Sequence, residues 1–301
     1  MIFFLSFGKT NKYENKSVQI MSYAHPEVLV DTEWVSQNPP NEKRKLVEVD
    51  YDPVNGYQKG HINGASLIWW KRDINDPVTR DIISKKEFEA LMAKNGITAD
   101  TEVILYGDFN NWFAAFAFWV FKIYGHENLK IMNGGRKKWE LENKDYTTDE
   151  PQIASTTYVA QPTDEGLRAY LFDVSRALGK EDTVMVDVRS PAEFTGQITA
   201  PPEYPMEHAQ RGGHIPDANN IPWATAVNDA DGTFKAVEEL KQNYEPKGVT
   251  PDKDVICYCR IGERSSHSWF VLKYLLGYPK VRNYDGSWTE WGNMIGNPVE
   301  K

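Results

Sequence analysis

The chain has 301 residues, about twice the usual domain size, so two domains are expected. An apolar share of 41% and a charged share of 26% exclude a mainly disordered, collagenous or coiled-coil architecture. A formal charge of −9 argues against a general nucleic-acid binder, and two cysteines cannot make a disulfide framework.

Residues 1–20 read as an N-terminal tail. The apolar stretch MIFFLSF ends at Phe7, shorter than a secretory h-region, with no basic residue before it and no small-residue cleavage site after it. Met21 opens a sequence that runs straight into the fold. No span of about 18 apolar residues occurs, so no membrane helix is expected and a cytoplasmic protein is the default. Further along, VILYGD near residue 103 reads as a strand and turn, and Trp112–Ile123, WFAAFAFWVFKI, suits a buried core helix. Residues 144–164 are polar, hold two prolines and lack a helical period, so they read as a linker. TVMVDV from Thr183 and VICYC from Val255 are short Val-rich or apolar runs that suit buried strands. RSSHSWFVLKYLL, Arg264 to Leu276, has helical length and an apolar face; Gly277 closes it and Pro279 follows. KVRNYDG returns to strand and turn. Strands separated by helices predict an α/β fold whose mainly parallel sheets are covered on both faces.

The two halves repeat. VILYGD matches VICYCR at an offset of 152 residues, and the same register aligns Gly125 with Gly277, Gly134 with Gly286 and Trp139 with Trp291. Upstream, His61 aligns with His214 and Asp50 with Asp187, leaving 16 extra residues in the second half, around Thr195–Gln210. A period near 150 residues is too long for a solenoid and means two copies of a whole domain. The predicted copies are residues 21–154 and 155–301.

Ligands of such sheets sit outside the carboxyl ends of strands. Cys259 ends the strand VICYC and opens the turn CRIGER, with a helix at once behind it. A helix N-terminus, its free backbone N–H groups and the nearby Arg260 and Arg264 are each expected to lower a thiol pKa. The expectation is a thiolate nucleophile in a small anion cradle. The competing reading is a buried structural thiol, the common fate of a free cysteine; the turn, the arginines and Gly262 favour the nucleophile. Cys257, two residues earlier in the strand, reads as core packing. A C-x-C pair is too little for a zinc site. Four residues separate Cys259 from Arg264, one fewer than in a phosphatase cradle, which favours sulfur over phosphorus as the target.

The duplicated domain, with VDVRSPAEF, GGHIPDANNIPW, CRIGERSSH and NYDGSWTEWG, resembles the two-domain rhodaneses, the thiosulfate sulfurtransferases, across roughly residues 25–296. The resemblance implies tandem rhodanese-like domains, an inactive first and a catalytic second, with a persulfide on Cys259 and no metal or organic cofactor. Gly107 stands in the first copy where Cys259 stands in the second. The implied substrate site is the loop Arg260, Ile261, Gly262, Glu263, Arg264 and Ser265, with its backbone N–H groups on the persulfide and both arginines on the sulfonate of thiosulfate. The better-known family loop is CRKGVT; here Ile261 replaces its Lys and Arg264 its Thr. Mercaptopyruvate-using relatives carry an uncharged CGSGVT-like loop, so the two arginines favour a small dianion donor, with cyanide or a thiol as acceptor. A 3-mercaptopyruvate sulfurtransferase and a persulfide carrier for a partner protein are the alternatives. Glu193 stands where vertebrate members place a substrate-binding Arg, and Arg211, after the insertion, is the candidate replacement.

Around this centre, Asp187 is read either as orienting the cysteine loop or as a structural hydrogen-bonding group. Arg189 lies four residues before Glu193, which predicts a local ion pair. His61 and His214 occur in both copies, which favours a structural role in the turn. Ser265 and Ser266 are expected to cap the helix. Trp288 and Trp291 are core residues or pocket walls. The acceptor and the oligomeric state are left open.

Overall fold

A computed structural model describes residues 23–201 and 208–301. The tail read at residues 1–20 lies outside the described residues, as does part of the 16-residue insertion. The first sheet comprises β1 (Leu29–Val30), β2 (Arg44–Asp50), β3 (Ser66–Trp69), β4 (Glu102–Gly107) and β5 (Leu129–Met132), in the order β1-β5-β4-β2-β3. The second comprises β6 (Thr183–Asp187), β7 (Asn219–Asn220), β8 (Asp254–Tyr258) and β9 (Val281–Tyr284), in the order β7-β6-β8-β9. Every pairing in both sheets is parallel. In β8, Val255, Ile256, Cys257 and Tyr258 are all buried, as expected of a strand covered on both faces. The fold is thus the α/β architecture that the repeat predicts, present twice.

The helix Trp112–Ile123 explains its own composition. It is buried from Phe113 to Ile123 because one side lies on its own sheet and the other meets the helix Glu263–Phe270 of the second copy. Phe118 packs edge-on against Phe270, with ring centroids 4.9 Å apart. Trp119 Nε1 donates to the Leu167 carbonyl at 2.9 Å. One apolar cluster runs from Val47 and Val49 through Phe118 to Val255 and Leu272, so the two copies share a core.

The helix Glu263–Phe270 runs on into a wider π-type turn, Val271–Leu275. It stops at Gly277, whose φ of 73° is left-handed and whose missing side chain leaves room for Ala24; a Cβ there would lie 2.7 Å from that of Ala24. Residues 144–164 carry no helix or strand, apart from an isolated bridge between Thr147 and His61. Among the described residues no helix is long and apolar enough to cross a membrane.

Candidate active site

The loop is built by the strand-to-helix connection. β8 ends at Tyr258, Cys259 follows, and the helix starts at Glu263. Gly262 makes the corner. Its φ is 103°, and an added Cβ would lie 2.8 Å from that of Asp285, so no side chain fits there. Four hydrogen bonds fix the loop from outside. Cys259 N donates to Ser287 Oγ at 3.0 Å, Trp288 N to the Cys259 carbonyl at 3.1 Å, Thr289 N to the Arg260 carbonyl at 3.0 Å, and Asn283 Nδ2 to the Gly262 carbonyl at 3.2 Å. The first copy reaches in as well, with Arg80 Nη2 donating to the Ile261 carbonyl at 3.4 Å.

Inside the loop, Gly262 N donates to Cys259 Sγ at 3.1 Å. The expected backbone donor to the sulfur is therefore present. The expected lowering of the thiol pKa is not. Cys259 is 0% exposed, and burial pushes its pKa above the ordinary thiol value. The Glu263 carboxylate, its Oε2 3.6 Å from Sγ and itself buried, pushes it further up. Arg264 and hydrogen bonds from Ser265 pull the other way without prevailing. The expected lowering of the thiol pKa is thus replaced by a raising. The reason is that the thiol itself is buried and the loop carries its own acid next to the sulfur.

Arg264 does not present an open cation. Its Nη1 and Nη2 donate to Glu193 Oε2 and Oε1, both at 2.9 Å, and both residues are buried. Burial by itself would raise the Glu193 carboxyl, but Arg264 and then Arg189 hold it below its ordinary value. Glu193 is held in place by a capping box with Ser190. The predicted Arg189–Glu193 pair is replaced by Arg189–Asp187, with Nη2 to Oδ2 at 2.6 Å, while Glu193 is taken by Arg264. Asp187 thus reaches the cysteine loop through Arg189. Its partner Arg189 lies over the Trp288 ring at 4.7 Å, and Trp288 N holds the Cys259 carbonyl. Arg211 is not brought to the anion-ligand role. Its guanidinium donates to the carbonyls of Trp291, Gly292, Met294 and Asn297, which ties down the C-terminal segment.

Arg260 is 1% exposed and Ile261 is 3% exposed, so the turn CRIG is as buried as the core around it. Ser265 and Ser266 do not cap the helix start. Their hydroxyls donate backward, to the carbonyls of Gly262 at 3.1 Å and Glu263 at 2.7 Å. His61 stacks on Tyr57 and His214 on Phe194, each with Nδ1 against that residue's carbonyl, the same structural arrangement in both copies. Trp288 and Trp291 are fully buried core residues.

Sequence reasoning missed Glu193 as the partner of Arg264, although Ser190-x-x-Glu193 is a legible capping-box signal that fixes where the carboxylate sits. It also missed Ser287, for which the local sequence holds no signal. In the first copy, the position of Cys259 is closed by geometry. A Cβ on Gly107 would lie 2.5 Å from the Val49 carbonyl oxygen, and the following Phe109, Asn110 and Asn111 all have positive φ. A cavity of about 560 Å³ lies between the copies, lined by Arg80 and Asp81 from the first and by Arg168, Ile261, Tyr284 and Asp285 from the second. Among the described residues no cluster of His, Cys, Asp and Glu is arranged to hold a metal ion.

Comparison with known proteins is consistent with this geometry. The family description of the rhodanese-like domain matches twice, at residues 31–142 and 173–294. The chain is 56% identical over 284 residues to the sulfur carrier protein TtuD of Thermus thermophilus, covering 93% of this chain and 99% of that one. It is 52% identical over 274 residues to a protein of Saccharopolyspora erythraea provisionally named a thiosulfate sulfurtransferase, covering 91% and 96%. Among solved structures it resembles the anaerobic ergothioneine biosynthesis enzyme of Chlorobium limicola in complex with trimethyl histidine. That match has a TM-score of 0.80 at 25% identity and covers 93% of this chain and 71% of the other.

Proposed function

This chain belongs to the rhodanese-like domain family, and on that premise we propose that it is a thiosulfate sulfurtransferase working through a persulfide on Cys259. The Cys259 thiolate attacks the outer sulfur of thiosulfate. The sulfur–sulfur bond of the donor breaks, and sulfite leaves with the electron pair. A cyanide ion or a thiolate then takes the terminal sulfur and returns Cys259 as a thiolate, so the kinetics are ping-pong. The reaction needs no metal or organic cofactor.

The observation that carries this reading is the Gly262 N–H aimed at Sγ from 3.1 Å, at the point where the central strand gives way to a helix. Backbone N–H groups from Arg260 to Ser265 hold the anionic terminal sulfur, and Arg260 supplies positive charge for the sulfonate. Because the thiol is buried, the donor enters by opening the loop. Glu263 Oε2, 3.6 Å from Sγ, takes the thiol proton at that step. In this reading residues 155–301 carry the chemistry, and residues 21–154, with Gly107 in the thiol's place, support it. Two free cysteines that must stay reduced suit the cytoplasm.

Intact mass after thiosulfate treatment tests the proposal. The protein gains one sulfur atom, loses it on adding cyanide, and gains none as Cys259→Ser; sulfur uptake by that variant would sink the reading. A second reading has the same intermediate. The full burial of Cys259 and the 56% identity to a sulfur carrier protein favour a persulfide carrier that opens only for a partner protein. Continuous thiocyanate formation without a partner supports the enzyme, and loading without turnover supports the carrier. Relative rates with thiosulfate and 3-mercaptopyruvate separate the third option.

A further inference from the structure

The cysteine loop and its neighbours hold a cluster of buried charges. Arg260 and Arg264 bring two positive charges to the loop, Glu193 and Glu263 bring two negative ones, and all four side chains are buried. The contact that matters most is the two-pronged one between Arg264 and Glu193, 2.9 Å on each prong. Glu193 cannot easily drift away from it. Ser190 N and Ser190 Oγ donate to Glu193 Oε2 at 3.0 and 2.9 Å, and Glu193 N donates back to Ser190 Oγ at 3.3 Å. A guanidinium with both terminal nitrogens on one carboxylate has its charge cancelled at contact distance. In a buried site that cancellation acts nearly unscreened.

We infer that Glu193 is a positioning residue that sets donor preference by holding Arg264 out of anion binding. With Arg264 engaged, the loop favours a singly charged donor, a low-molecular-weight thiol persulfide, over the dianion thiosulfate. The chemistry with that donor balances in the same way. The Cys259 thiolate attacks its terminal sulfur, the donor's sulfur–sulfur bond breaks, and a thiolate leaves with the electron pair. This inference rests on the reading of Cys259 as the sulfur-accepting thiol.

The test compares thiosulfate and cysteine persulfide as donors to the full-length chain, with thiocyanate formation and intact mass as readouts. Glu193→Gln removes the charge while keeping the shape and the Ser190 contacts. Its KM for thiosulfate falls about tenfold, the value of one charge-assisted contact regained. Its kcat with thiosulfate changes far less, and its KM for cysteine persulfide stays near the wild-type value. A purely structural role for Glu193 predicts the opposite sign, a loss with both donors. A thiosulfate KM that is unchanged or raised in a folded Glu193→Gln protein overturns the inference. Should that variant not fold, Glu193→Gln combined with Arg264→Met removes both charges of the pair and decides the matter. A thiosulfate KM close to wild type supports an Arg264 that is silent in the native pair, whereas a rise of about tenfold shows Arg264 already binding and overturns it. Wild-type protein that takes sulfur from neither donor defeats the reading of Cys259 itself. Wild-type protein that loads normally, with a donor ratio unmoved in Glu193→Gln, defeats this inference alone.

Discussion

Cys259 Sγ lies 3.6 Å from Glu263 Oε2, with both side chains buried, so an acid sits next to the sulfur that must become an anion. The Glu263 carboxylate raises the thiol pKa and also supplies a group to receive its proton. It follows that Glu263 acts on reactivity in two directions, and they can be separated. In Glu263→Gln the carboxylate charge that raises the thiol pKa is gone, while burial, the larger cause, remains. The pH profile for alkylation of Cys259 by iodoacetamide therefore moves to lower pH, and the rate at pH 7 rises. Sulfur transfer from thiosulfate in the same variant falls, because the proton acceptor is lost. An alkylation profile that stays in place would show that Glu263 does not act on the sulfur.

The two cysteines differ in role despite their closeness. Cys259→Ser abolishes thiocyanate formation from thiosulfate and cyanide. Cys257 is buried in β8 among apolar residues, so Cys257→Ala keeps the activity and loses stability by about 1–2 kcal/mol through a small cavity. Activity assays together with urea unfolding check both. Loss of persulfide formation in Cys257→Ala would reassign the nucleophile.

Restoring a cysteine to the first copy does not restore a site. In Gly107→Cys the new Cβ is driven to within 2.5 Å of the Val49 carbonyl oxygen, so β2 and β4 must move apart or the loop must rebuild. Thermal unfolding shows a loss of about 1–3 kcal/mol, the usual cost of overpacking, and mass spectrometry finds no persulfide at that position. A stable variant that loads two sulfur atoms contradicts this.

His267, in the helix behind the cysteine loop, gives the fold an acid-sensitive element. Its ring is fully buried between Trp223 and Phe234, neither ring nitrogen has a hydrogen-bond partner among the described residues, and burial pulls its pKa down to about 3. The unfolded chain takes up a proton near pH 6.5 that the folded chain refuses. The stability this group permits is complete above about 6.5 and is lost as pH falls toward 3, by up to about 1.4 kcal/mol per pH unit. Urea unfolding of wild type and His267→Leu at pH 7 and pH 5 measures it, with the flatter response expected for the variant. Equal slopes would show that His267 is not the group responsible.

The amino-acid sequence alone was enough for the duplication, the two parallel sheets and the thiol between strand and helix. These are written in local periodicity and in a repeat whose register survives in Gly125–Gly277 and Trp139–Trp291. It was also enough for the helix Trp112–Ile123, since a run apolar on every side can only be buried on every side. Tertiary structure alone decided the charge pairing and access of the site. Glu193 meets Arg264 from 71 residues away, and Arg80 reaches the Ile261 carbonyl from 181 residues away, across the junction of the two copies. Spacing along the chain assigned Arg189 to Glu193 because neighbours on one helix face are all that spacing can see. A pKa, by contrast, depends on every charge and every layer of protein around a group, whatever its distance in sequence, and for Cys259 those layers come from both halves of the molecule.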